Sequence, residues 1–283
     1  MNRSEFYSMT KKHDSKTNRQ KLAARADRHV LYQKAVQDPD AELDFVCKTY
    51  RRLRGKALRS LREDFCGTAY TACAFVRRHK ENIACGVDID PEVLAWGREH
   101  NVAALNAAQG ARLTLYEADV CTIDTAPVQA VLAMNFSYYL FRERQNLLDY
   151  FRNVRRGLAD DGVFFLDAYG GYEAHMDITE KRKCNGFTYV WEQAEFNPID
   201  HCLQCYIHFR FKDGSRLERA FSYDWRLWTL PELQEILHAA GFSEVTVYWE
   251  GTDEESGEGD GIFTPATRGD ADAGWVCYLT AYN

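Results

Sequence analysis

Four oxygen-bearing side chains recur just past apolar runs: Glu63, Asp88, Asp119 and Asn135. A carboxylate at the end of a parallel strand is placed to accept from ribose hydroxyls, and one a strand further on to accept from a ring amino group. Asp88 stands 25 residues beyond Glu63, a spacing common for the ribose contact. Any one of these acids is equally well a helix N-cap, since Asp after a strand is favoured there. Four in register with successive strand ends are harder to assign to caps alone.

The stretch Leu61-Arg-Glu-Asp-Phe-Cys-Gly-Thr-Ala69 must position them. It ends a strand-like run, turns at Gly67 and opens into a helix, so backbone N–H groups gather beside a strand's carboxyl end. Around it the chain alternates strand and helix. Strands are expected over 57–63, 83–88, 113–117, 128–134 and 163–168, with helices over 69–80, from Pro91 and over 142–158. The apolar runs of the fourth and fifth strands suit burial on both faces of a parallel sheet. The expected fold is α/β, a doubly wound, seven-stranded, mostly parallel Rossmann-like sheet.

Residues 1–54 read as an N-terminal helical cap or lid, broken at Pro39, with 55–283 as the main domain. Three alternating runs over 187–196, 202–211 and 216–225 predict an antiparallel meander inserted at 186–228. Thr229-Leu-Pro-Glu232 is a capping box that starts a helix ending at Gly241. The runs 245–249 and 275–281 should close the sheet as a hairpin pair, and the acid- and glycine-rich 251–274 reads as a solvated loop.

These stretches resemble the class I S-adenosylmethionine-dependent methyltransferases. Glu63-Asp-Phe-Cys-Gly-Thr-Ala69 is similar to the family's acidic, glycine-rich first motif, and Gly86-Val-Asp-Ile-Asp-Pro91, Ala118-Asp-Val120 and Leu158-Ala-Asp-Asp-Gly162 are similar to later ones. The resemblance implies S-adenosylmethionine as cofactor. Its methionine end would lie at Glu63 and the turn Phe65-Cys66-Gly67, its ribose at Asp88 and its adenine at Asp119, with Ile89, Val120 and Asn135 as further cofactor contacts. Phe65 and Ala69 stand where the family usually has glycines, so the turn is expected to be tighter on one side. A dinucleotide turn uses three glycines to approach a pyrophosphate, whereas a phosphate-free donor loses less without two of them.

On the acceptor side, Asn135-Phe-Ser-Tyr-Tyr139 and Asp167-Ala-Tyr169 follow strands four and five. Asn135, Tyr138 and Asp167 are the catalytic candidates, Asp167 as a group that accepts a proton or steers an amine. Tyr169, Tyr223, Trp225, Arg226 and Trp228 are expected to wall the acceptor pocket, with Tyr32 reaching it from the N-terminal lid. Aromatic faces suit a cationic sulfonium or amine, and Arg226 suits a carboxylate or phosphate. His208, on the second meander strand, is a candidate base, although a single His in an alternating run is more often structural.

The expected reaction is methyl transfer to a small molecule, at nitrogen ahead of oxygen. A macromolecular methyltransferase and a non-catalytic S-adenosylmethionine-binding protein are the alternatives. The formal net charge of −7 argues against a dedicated nucleic-acid partner, although residues 1–30 carry eight Lys or Arg. No apolar run reaches membrane-spanning length, and a cytoplasmic location is the default. Nine scattered cysteines suit reduced thiols, and no metal site follows from their spacing. A homodimer is the assembly admitted.

Overall fold

The computed structural model describes residues 21–253, 255, 257 and 259–283. Most of the basic N-terminal stretch, residues 1–20, therefore lies outside the described residues. A 3₁₀ turn at Leu22–Arg25 leads into α1 (Arg28–Ala35) and α2 (Pro39–Arg54). Both helices start on an aspartate: Asp27 accepts from the His29 and Val30 amides, and Asp38 from that of Ala41. Each cap satisfies helix N–H groups that otherwise lack partners.

The core alternates β1 (Ser60–Asp64), α3 (Tyr70–Arg78), β2 (Ile83–Asp88), α4 (Pro91–Gly97), α5 (Ala107–Gly110), β3 (Leu113–Glu117), β4 (Val128–Ala133), α6 (Arg144–Gly157) and β5 (Leu158–Gly170). An antiparallel insertion follows: β6 (Ile178–Cys184), β7 (Phe187–Phe196), β8 (Cys202–Phe211) and β9 (Arg216–Arg226). Then come α7 (Leu230–Ala239), β10 (Glu244–Thr252), β11 (Gly259–Ala266) and β12 (Trp275–Tyr282).

The main sheet runs β11-β10-β12-β5-β4-β1-β2-β3, parallel from β5 to β3 and antiparallel on the other side. It thus has one strand more than the expected seven. The extra one, β11, pairs with β10 inside the stretch expected to be a loop. The insertion is likewise a strand longer than the expected meander, because β6 pairs along its whole length with Phe187 to Gln193 of β7. Chain order reverses between β1 and β4, so the switch point of this doubly wound sheet lies where their carboxyl ends diverge.

Three apolar clusters join the layers. One packs α6 and α7 on the main sheet and continues into Leu203, Cys205 and Trp225 of the insertion. A second packs α2 and α3 on the opposite face. The third sets Leu31 and Ala35 of α1 against Phe187, Ile207 and Phe209 of the small sheet. The N-terminal helices therefore bridge both sheets over the carboxyl ends of the parallel strands. All nine cysteines are unpaired. Among the described residues no helix is long and apolar enough to cross a membrane.

Candidate active site

The loop after β1 is wound as a glycine-rich turn without the glycines. Phe65, Gly67 and Ala69 have φ values of 54°, 51° and 55°, all left-handed. For the two non-glycine residues this costs roughly 1–2 kcal/mol each. The sequence reading expected the turn to tighten at those positions; instead the backbone keeps the same hand. Its surroundings hold it there. The Cys66 amide donates to the Val87 carbonyl at 2.9 Å, the Gly67 amide to Asp88 Oδ2 at 2.7 Å, and Asn101 Nδ2 to the Thr68 carbonyl at 2.8 Å. A Cβ on Gly97 would stand 2.6 Å from the Thr68 oxygen, so α4 lies directly on the loop. The Phe65 ring is fixed between Phe141 and Tyr150.

Of the predicted cofactor residues, Phe65, Cys66 and Gly67 form this loop, and Asp88 is tied to it through the Gly67 amide. Glu63 Oε2 accepts the Ala72 amide of α3 at 2.8 Å, and burial pushes its carboxyl up to about 8. Asp88 accepts Gly67 on one oxygen and Asp90 on the other; burial raises its carboxyl above the ordinary value, against those bonds. Asp119 is exposed and accepts the Cys121 amide, while Val120 is buried and Ile89 is 69% exposed. Among the described residues no Lys or Arg side chain hydrogen-bonds the 65–69 loop, Asp88 or Asp119. The polar groups here are backbone amides and accepting carboxyl groups, which fit a phosphate-free, cationic ligand better than a pyrophosphate.

Across the switch point, Asn135 and Phe136 are also left-handed, with φ of 58° and 56°. Their amides donate to Asp167 Oδ2 and Oδ1 at 2.7 and 2.9 Å. Asp167 thus clamps the turn after β4 from the end of β5. Burial pushes its carboxyl up to about 7. Tyr138, a catalytic candidate from sequence, is fully buried, and its hydroxyl donates to the Asp167 carbonyl at 2.7 Å. It is core and does not reach the cavity beyond.

That cavity measures about 820 Å³ and is bordered by α1, α2, the ends of β4 and β5, the inner face of the small sheet, β10 and β12. Asn135, Asp167, Tyr32, Tyr169, Tyr223 and Trp225 all line it, as expected. The Tyr169 hydroxyl is buried and has no hydrogen-bond partner. Arg226 and Trp228 face elsewhere. Trp228 is buried in the core and donates its indole N–H to the Phe141 carbonyl. Arg226 stacks over Trp228, donates to the Arg142 carbonyl and to Glu232, and borders a separate pocket of about 510 Å³. β9 ends there, so alternation sends Trp225 inward and Arg226 out.

Glu42 is a buried wall residue that sequence reasoning missed, as it missed Trp191, Gln193 and Tyr278. Glu42 sits in the first turn of α2, where an acid reads as a helix-dipole partner. Only the tertiary fold shows it 8% exposed and lining the cavity. Helix α1 closes the space between loop and insertion. Gln33 Nε2 donates to Thr68 Oγ1 at 2.8 Å, Trp96 Nε1 of α4 donates to Asp27 Oδ2 at 2.7 Å, and the Tyr32 ring meets Phe221 at 4.8 Å between centroids.

No family profile matches the chain, and no curated protein matches it in sequence. Solved structures match it in fold. An S-adenosylmethionine-dependent methyltransferase from Clostridium acetobutylicum aligns at TM-score 0.64 and 16% identity, covering 90% of this chain and 97% of that one. CalS10, an amino pentose methyltransferase from Micromonospora echinaspora, aligns at 0.62 and 17%, over 90% and 96% of the two chains. KedS8, a sugar N-methyltransferase from Streptoalloteichus, aligns at 0.59 and 18%, over 91% and 93%. The fold is that of the class I methyltransferases. In this chain the strained loop after β1 and the clamped turn after β4 flank the switch point, and the cavity lies beyond the β4 turn.

Proposed function

We propose that the protein is an S-adenosylmethionine-dependent methyltransferase acting on a small molecule, at nitrogen in preference to oxygen. The carrying observation is the roofed cavity of about 820 Å³, which abuts the switch-point turn through Asn135 and Asp167. The amino pentose and sugar N-methyltransferases among the structural neighbours support the acceptor class.

Gly67 and Glu63 would hold the methionine end, Asp88 the ribose and Asp119 the adenine, with exposed Ile89 against the ring. Each Asp88 oxygen takes one backbone N–H and keeps a lone pair for a ribose hydroxyl. When bound, the cofactor supplies a methyl group on a positively charged sulfur. The chain's own work is to bring an acceptor lone pair into line and exclude water. The aromatic walls fix the acceptor. Helix α1 and the small sheet close over it. Asp167, with both oxygens on backbone amides, positions the Asn135 turn; it does not serve as a free base.

Incubating the protein with methyl-labelled S-adenosylmethionine and a metabolite extract, followed by mass spectrometry, tests the reading. Label in a small amine is expected. Label only in RNA or protein would favour a macromolecular acceptor, and no label with intact cofactor binding would favour a non-catalytic role. By calorimetry, Asp88→Ala should weaken S-adenosylmethionine binding at least tenfold, about 1.4 kcal/mol. Unchanged affinity would remove Asp88 from the site.

A further inference from the structure

Glu42 on α2 is faced by two further buried carboxyls, Glu63 on β1 and Asp167 on β5, and Glu42 and Asp167 both line the cavity. Two of them are committed to backbone. Glu63 accepts the Ala72 amide, and Asp167 accepts two amides. Glu42 has a single, long contact, the Thr71 hydroxyl at 3.4 Å, and lines the cavity itself. The groups that face it are Asp38 on its own helix, Glu63, Thr71 on α3, Asp167, Tyr32 on α1 and Tyr278 on β12. None is cationic. Lys181 and Arg182 border the cavity from β6, but both are exposed, and Arg182 donates to the Ala35 carbonyl and stacks over Tyr189. Opposite the acids stand Tyr32, Trp191, Tyr223 and Trp225, and the Tyr169 hydroxyl waits without a partner. The other acids on the cavity wall, Asp38, Glu173, Glu180 and Glu250, are exposed or half-buried, so Glu42 is the buried carboxyl there that is not committed to backbone. An aromatic enclosure with a buried, loosely held carboxyl is a receptor for an organic cation.

We propose that Glu42 selects an amine acceptor: its carboxyl ionises as an ammonium docks, and its carboxylate then takes a proton from that nitrogen. In the second step an N–H bond breaks, its electron pair stays on nitrogen, and the proton moves to a Glu42 oxygen. The proposal rests on the methyltransferase reading for its purpose, but its binding step is independent of turnover. Burial and the neighbouring acids push Glu42 up to about 8, so the empty cavity holds it uncharged at neutral pH. A cation arriving beside it reverses that preference and drives a proton out to solvent.

The test uses benzylammonium as cation and benzyl alcohol as its neutral counterpart. Calorimetry at pH 7 in two buffers of different ionisation enthalpy counts protons released. Benzylammonium should bind at least tenfold more tightly than benzyl alcohol and release about one proton. Glu42→Gln should abolish the release and lose that tenfold preference while leaving benzyl alcohol binding unchanged. In the unaltered protein, affinity for benzylammonium should rise by up to about tenfold per pH unit between pH 6 and 8, a measurement that needs no variant. Proton release surviving in Glu42→Gln, equal loss of both probes, a flat pH profile, or no benzylammonium binding would overturn the proposal. So would weakened S-adenosylmethionine binding in Glu42→Gln with benzylammonium binding intact, which would give Glu42 to the cofactor. Failure of the unaltered protein to bind S-adenosylmethionine would instead sink the methyltransferase reading and leave the benzylammonium result standing.

Discussion

At the scale of single residues, the interior of β1 carries charges that the site does not use. Arg62 and Asp64 are fully buried, paired at 2.8 Å, and Tyr150 donates to the same carboxylate. Gly157 on α6 makes the room, since a Cβ there would stand 2.4 Å from Arg62 Nη1. Removing one partner leaves the other buried and uncompensated, so Arg62→Met should destabilise by about 3–5 kcal/mol in urea unfolding. Arg62→Met with Asp64→Asn should recover most of that loss while keeping an acceptor for Tyr150. The acids of the site set a pH dependence. Glu42 and Glu63 are pushed up to about 8 and Asp167 to about 7, above the unfolded carboxylate range. The folded state therefore holds protons that the unfolded state has released, and stability falls as pH rises from about 4 towards 8. A higher thermal midpoint at pH 6 than at pH 8.5 is expected, with a smaller difference in Glu42→Gln. An equal difference in both proteins would mean that Glu42 ionises normally. None of this was legible from sequence: an acid in a helix's first turn looks the same whether it faces water or a cavity.

At the scale of elements, strands that owe their form to their own alternation were readable and strands that owe it to a neighbour were not. β7, β8 and β9 alternate strongly and stand within a residue of their expected bounds. β6 reads Ile-Thr-Glu-Lys-Arg-Lys-Cys, mostly exposed, and β11 begins Gly-Asp-Gly; each is a strand because an adjacent edge offers hydrogen bonds. Spacing likewise located the loop after β1 but missed its hand, because Phe65 and Ala69 take dihedrals their types disfavour. Helix α1 is the element most open to test. Its ties to the core run through Gln33 to Thr68 and through Asp27 to Trp96. Trp96→Phe removes the second tie and spares the Asp27 cap on the helix. It should cost about 0.5–1.5 kcal/mol of stability. Cofactor dissociation, followed by stopped-flow fluorescence, should quicken several-fold. An unaltered dissociation rate would mean that α1 does not gate the cleft.

At the scale of the whole molecule, the two sheets share one core. The cluster around α6 and α7 runs without interruption from β4 and β5 to Leu203, Cys205 and Trp225, and α1 packs on the small sheet while α2 packs on the large one. A cavity walled by both sheets keeps its shape only if they stay together, and a continuous apolar core makes separate unfolding costly. Scanning calorimetry should accordingly show one transition for the whole chain. A ligand that binds only the folded form must then stabilise both sheets at once. S-adenosylhomocysteine at about 100 times its dissociation constant adds ~2.7 kcal/mol. For a chain of this length that is a rise of ~5 °C in the single midpoint. Two resolved transitions, with only one moved by the ligand, would show that the insertion folds as a separate unit and that the cavity between the sheets is formed by docking.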